Sequence, residues 1–277
     1  MKRFLHKVIY WLYSVFNDKT IAAATEEIDV VIPVIKKDLP ALPLCLQGVR
    51  TCVKHPIKNI YIIAPPLPEI SSFCASNGLV FVNEQDVAGI TPEELNMKIA
   101  CDGKIIDRSG WLLQQFIKLS GITGTCRNYL CIDADHVLLQ PHTFISRNGK
   151  PVFYMTHESH RPYYEMLTKL TGIVKRGKLS YVAHKMIINR EQLASLHRCI
   201  HDRMNENWLK AIIAAYDRTQ VSGFSEYETY GNFVKDKLKL PCKQRTSRYK
   251  DLADYNSLVK RFGKSYKSVT FPEYYNH

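Results

Sequence analysis

Eight cysteines occur in the 277 residues, yet no two have C-x-x-C spacing, so neither a zinc knuckle nor a dithiol redox motif is present. No stretch of 20 to 50 residues recurs, which excludes a solenoid. Glycine and proline, 13 each, are too few for a collagen-like or low-complexity chain. No G-x-G-x-x-G follows the first apolar strand, so the dinucleotide-binding fingerprint is missing. No helix-turn-helix, zinc-finger or RNA-binding signature accompanies the basic charge, so no specific nucleic-acid partner is expected. The cysteines, several of them in apolar runs, read as reduced, buried and intracellular.

What is present is a globular composition, 45% hydrophobic and 23% charged, with a formal net charge of +12. The charge gathers at the ends. From Gly231 to His277 there are eleven Lys and Arg against four acids. At the other end, MKRFLHKVIYWLYSVFND (1–18) places Phe4, Val8, Trp11, Leu12, Val15 and Phe16 at helical spacing beside Lys2, Arg3 and Lys7. It is shorter than the roughly 20 apolar residues a bilayer span needs. It suits an amphipathic helix lying on an anionic membrane surface. A docked structural helix and a signal peptide are the other readings. Asn17-Asp18-Lys19 separates the apolar run from Ala22-Ala23-Ala24, which disfavours cleavage.

Between the ends the pattern alternates. Ile28–Val34 reads as a buried strand, 39–53 as a helix, Ile57–Ile63 as a strand, Glu69–Ser76 as a helix and Leu79–Val82 as a strand, an α/β order with a parallel sheet. A helix is predicted over Gly110–Ser120 with Ser109 as N-cap. Leu112, Leu113, Phe116, Ile117 and Leu119 form its buried side, with Gln115 and Lys118 on the opposite stripe. A single strand is expected over Asn128–Leu139, with further strands over Pro151–Thr156 and Ser180–Ile188. Gln192–Tyr216 reads as mostly helical, and another helix starts at Ser225. The expected organisation is a connector and helix at 1–24 and one catalytic domain at 25–277. That domain divides at about 25–140, 141–240 and a basic tail, 241–277.

The densest chemical signal is Cys131-Ile132-Asp133-Ala134-Asp135-His136. Two carboxylates at i, i+2 share a strand face and repel unless a cation stands beside them. Oxygen ligands of this kind suit Mg²⁺ or Mn²⁺ with a substrate phosphate completing the shell. Ligands bind at the carboxyl ends of strands in such folds. Ser225-Glu226-Tyr227-Glu228 opens a helix. Ser225 and Glu228 fit a capping box, which leaves Glu226 without a structural task. The stretch Thr156-His157-Glu158-Ser159-His160-Arg161 is rich in polar and aromatic groups and suits an acceptor site through His157, Glu158 and Arg161.

Three segments in order, RSGWLLQQFIKL from Arg108, YLCIDADHVLLQP from Tyr129 and FSEYETYGNF from Phe224, together with the DVVIPV strand, resemble a GT-A glycosyltransferase. More narrowly they resemble a bacterial family of glycosyltransferases of undefined specificity, over roughly residues 28 to 235. The resemblance implies a Rossmann-like, mostly parallel sheet flanked by helices. It also implies a nucleotide-sugar donor, a divalent cation and a glycan or lipid-linked acceptor in surface polysaccharide synthesis. On the donor side it implicates Pro33, Val34, Lys37, Arg108, Gln115, Lys118 and Asp133. For the metal it implicates Asp133 and Asp135, with His184 as a third ligand. Glu226 would be the base that deprotonates the acceptor. The basic ends then place the protein in the cytoplasm, peripheral to the inner membrane face.

Two other classes fit part of the pattern. D-x-D-x-[TV] is also the nucleophile motif of haloacid dehalogenase-like phosphatases, with Asp133 attacking and Asp135 as acid/base. However, that motif belongs on a first strand, and here three precede it. A non-enzymatic polyanion binder would use the charge alone.

Overall fold

The computed structural model describes residues 21–101 and 103–272. The amphipathic segment expected at 1–18 lies outside them. Along the chain the first half runs β1 (Ile28–Pro33), α1 (Leu42–Cys52), β2 (Ile57–Ala64), α2 (Pro68–Ser76) and β3 (Val80–Asn83). Short helices α3 (Glu84–Ala88) and α4 (Pro92–Leu95) and the hairpin β4 (Lys98–Cys101)–β5 (Lys104–Asp107) lead to α5 (Ser109–Ser120) and β6 (Asn128–Ile132). The second half holds β7 (His136–Leu138), β8 (Val152–Met155), α6 (Arg161–Thr171) and β9 (Lys185–Asn189). It continues through α7 (Arg190–Met204), α8 (Trp208–Ala215), α9 (Glu226–Phe233), β10 (Leu238–Pro241), β11 (Gln244–Thr246), α10 (Tyr255–Phe262) and β12 (Ser268–Thr270).

The central sheet has the order β3-β2-β1-β6-β9, with β9 antiparallel to β6 and the other neighbours parallel. Every residue of β1 and β6 is buried, Asp29 and Asn128 included, as strands covered on both faces require. From β1 the chain moves one way to β2 and β3; β6 returns on the other side of β1. Such a reversal opens a crevice beyond the carboxyl ends of the two adjacent strands.

Three expectations are corrected. The strand over 128–139 is broken: it stops at Ile132, turns through Asp133 to Asp135 and restarts as β7 in a different sheet. The strand from Ser180 begins only at Lys185, because His184 takes a left-handed backbone, φ 58°. The helical stretch 192–216 is two helices, divided where Asn205 adopts φ 52° as the C-cap of α7.

The basic stretch expected as a tail is folded in its described part. β11 and β12 pair with each other, and β12 runs antiparallel to β7. Tyr255, Leu258 and Phe262 lie on one face of α10 and pack with Val137, Val269 and Phe271 into a second apolar cluster, while Lys260, Arg261 and Lys264 stay exposed. The cations marked the outer face of a structural element. The second sheet sits tightly on α1, since a Cβ on Gly48 would meet Leu138 N and O at 2.8 Å.

Candidate functional site

The acidic turn stands at the carboxyl end of β6, next to the end of β1. Its backbone is pinned by Asp133 N to His184 O (3.0 Å) and His136 N to Asp133 O (3.0 Å). Phe271 N donates to Asp135 O at 3.0 Å, so the folded C-terminal segment closes one side. Asp133 and Asp135 are therefore not two positions on one strand face but the two shoulders of a turn.

Asp133 is heavily partnered. Its Oδ1 accepts from Lys118 Nζ at 2.6 Å and from the Tyr227 hydroxyl at 2.9 Å, and its Oδ2 meets His184 Nδ1 at 2.9 Å. Burial opposes its charge, but Lys118 and His184 outweigh burial and hold the carboxyl below the usual range. Lys118 also reaches Glu226 Oε1 at 2.7 Å, with side chains 7% and 5% exposed, so one cation bridges two carboxylates. Burial pulls the Lys118 ammonium down, yet Asp133 and Glu226 together raise it. His184 behaves alike: burial disfavours the imidazolium, and the hydrogen bond and charge of Asp133 raise it overall.

Asp135 has the opposite environment. Its Oδ1 accepts from Thr270 Oγ1 at 3.4 Å, and burial together with the Asp133 charge pushes its pKa up. Asp38, in the 3-10 turn Lys36–Asp38 after β1, is also held up, to about 6. Burial dominates, its bond from Ile35 N at 3.0 Å opposes, and the Asp135 charge adds to it. Two carboxylates near one turn are thus costly to ionise together, the condition a bound cation relieves. Oxygen donors from Asp135 and Asp133 fit Mg²⁺ or Mn²⁺, and an imidazole beside them suits Mn²⁺. Among the described residues no group of three or more His, Cys, Asp or Glu forms a ready-made cation cage. Asp133, Asp135 and His184 are brought together, but Asp133 and His184 are hydrogen-bonded to each other.

The other expected residues divide. Pro33 and Val34 are buried at the end of β1, Val34 N donating to Ile63 O, and Lys37 stands on the exposed turn that follows. Gln115 and Lys118 were expected on a stripe away from the core. They are buried instead, 3% and 6% exposed, because α9 covers that face of α5. Gln115 Oε1 accepts from Glu226 N at 3.2 Å, and its Nε2 has no partner among the described residues. Arg108 stacks on Trp111 and donates to Val221 O and Ser222 Oγ, tying down the approach to α9. Helix α5 starts one residue early. Ser109 is within it and accepts from Met97 N rather than capping it. Ser225 does cap α9 through Glu228 N, but the Glu228 carboxylate accepts from Tyr181 N and Asn232 Nδ2 instead of closing a capping box. His157 and Glu158 are exposed on the loop after β8. Arg161 opens α6, paired with Glu165.

Asp38 and Tyr227 are the site residues that sequence reasoning missed. Asp38 offered one signal, an acid just beyond the end of a buried strand; Tyr227 offered none, since a tyrosine inside a short helix reads as core.

This sheet order, with an acidic turn at its crevice, defines a GT-A-like fold. The crystal structure of mouse xyloside xylosyltransferase 1, apo form, matches it with a TM-score of 0.50 over 90% of this chain and 99% of that one, at 10% identity. No curated protein matches the chain in sequence. A family of unknown function (DUF6492) matches residues 25–271, and the chain belongs to that family. The glycosyltransferase resemblance is therefore carried at the level of the fold.

Proposed function

We propose that the protein is a glycosyltransferase that takes a sugar from a nucleotide-sugar donor and passes it to a glycan or lipid-linked acceptor. The observation that carries this reading is the acidic turn at the crevice between β1 and β6, with Asp133 and Asp135 on its two shoulders and Asp38 on the neighbouring turn after β1, an arrangement that a cation would relieve. The structural neighbour is named as a xylosyltransferase, which supports sugar transfer as the reaction class.

In this reading Asp135, with Asp133 beside it, would hold Mn²⁺ or Mg²⁺, and His184 fixes Asp133. When bound, the cation would neutralise charge on the departing nucleoside diphosphate. Lys37, exposed on the turn after β1, would face the nucleotide, with Pro33 and Val34 buried beneath it as support. Gln115, buried under α9, acts by positioning: its Oε1 accepts from Glu226 N at 3.2 Å and holds the start of α9. Arg108 and Lys118 act by positioning: one holds the loop before α9, the other ties α9 to the turn.

Two roles are open to Glu226. As a base it would take the acceptor proton; as the second carboxylate on Lys118 it would keep the turn in register. Its 5% exposure and its bond to Lys118 favour the second role. The membrane reading rests on residues 1–18. No helix among the described residues is long and apolar enough to cross a membrane.

The test is release of nucleoside diphosphate from a panel of nucleotide-sugars. Asp135→Ala or EDTA is expected to abolish release, and full turnover under either condition would remove the metal assignment.

A further inference from the structure

The loop carrying His157 and Glu158 leads into α6, and beside α6 lies an open cleft of about 810 Å³. Its wall carries five cations, Arg161, Lys169, Lys175, Lys178 and Arg203, against the single carboxylate of Glu165. A neighbouring depression of about 640 Å³ shares Arg203 and adds Arg198 together with the carboxylate of Asp202. Like charges crowded on one concave wall repel, and an anion placed among them relieves that repulsion.

The cations differ in what they are free to do. Lys175 is structural: its Nζ donates to Leu179 O at 2.7 Å, lies 4.1 Å from the Tyr164 ring centroid and approaches Glu228 Oε1 at 3.5 Å. Lys169 donates to Ala215 O and Arg203 Nε to Lys169 O, which fixes both side chains while leaving their charge in the wall. Among the described residues Arg161 has only its exposed pair with Glu165, an arrangement worth little in water. Lys178 makes no hydrogen bond or ion pair among the described residues. Cations held by backbone carbonyls beside exposed, uncommitted ones make a receiver for a carboxylate or phosphate.

The cleft borders the segment expected to hold the acceptor, since Arg161 itself lines it. Ser159, next to Glu158, lines it, and Lys175 reaches Glu228, two residues beyond Glu226 in α9. We propose that it binds an anionic substituent, a carboxylate or a phosphate, on the saccharide acceptor; this rests on the glycosyltransferase reading above. A lipid surface is the poorer occupant, because Val174 is the one exposed large apolar residue lining the cleft, and membrane insertion needs an apolar face.

The test is equilibrium binding by ligand-observed NMR on the full chain. Glucuronate and glucose 1-phosphate serve as anionic probes, methyl glucoside as the neutral control and phosphatidylglycerol vesicles as a separate arm. Both anionic probes are expected to bind and the neutral one not. Lys178→Glu and Arg161→Glu should each weaken binding about tenfold or more, the loss of one charge-assisted hydrogen bond. Lys178→Gln should weaken it less, and an unchanged melting temperature shows that each variant is folded. Equal binding of charged and neutral sugars, no binding of either, or unchanged affinity in Lys178→Glu would overturn the proposal. Vesicle binding without saccharide binding would also overturn it and make this face a membrane-docking surface. Nucleoside diphosphate binding is read separately on the wild type. Its absence would remove the donor reading, and with it the acceptor assignment, while the anion preference of the cleft would still be measured.

Discussion

Lys118 brings one positive charge into a place where two carboxylates meet it, and its removal would leave both Asp133 and Glu226 without it. Breaking a buried ion pair from one side costs about 3–5 kcal/mol. Lys118→Met should therefore lower stability by that order in chemical denaturation; a loss under about 1 kcal/mol would mean that the bridge contributes no net stability. Asp38 makes a pH prediction. Unfolded, it ionises near 3.8; folded, it keeps its proton to about 6, so the folded state binds more protons between these values. Stability from this group is then highest at low pH and falls as pH climbs through that window, by about 3 kcal/mol in all. In EDTA, Asp38→Asn should raise the melting temperature at pH 7.5 and do little at pH 4. An equal gain at both would contradict the assignment. Asp133, Asp135, Lys118 and Glu226 could all be read from the sequence as candidates. Their pairing could not, because the lysine bridge joins residues 15 and 108 positions apart.

At the scale of elements, the strands and helices from β1 to β3 were legible because each carries an apolar run or stripe closed by proline or polar residues. By contrast α3, α4 and the strands of the β4–β5 hairpin, four or five residues each, are too short to show a period. The break after Ile132 was not: CIDADHVLL stays compatible with one strand until a second sheet is present to receive β7. That sheet is built by β11 and β12, more than a hundred residues later in the chain. Gly48 shows how closely β7 is then held. Gly48→Ala would push a methyl into the Leu138 backbone at 2.8 Å. Overpacking against backbone costs about 1–3 kcal/mol, and equilibrium unfolding should show it. A neutral result would mean that α1 and β7 can move apart freely. The left-handed backbone of His184 was equally hidden, since nothing about a histidine at the end of S-Y-V-A-H announces a positive φ.

For the whole molecule, the α/β class and parallel sheet were legible, and the basic charge was legible only as a quantity. Its placement depends on folding. Part of the C-terminal surplus covers the outside of α10, while the same segment sends Phe271 N and Thr270 Oγ1 to Asp135. The C-terminal segment is thus part of the wall around the acidic turn, and the turn is where the account stands or falls. The most direct measurement is a thermal-shift series with uridine, guanosine, cytidine, adenosine and thymidine diphosphates, with and without Mn²⁺. The account predicts that one base stabilises the wild type, that Mn²⁺ enhances the shift, and that Asp135→Ala loses it. No response to any nucleotide, or the same response in Asp135→Ala, would contradict it.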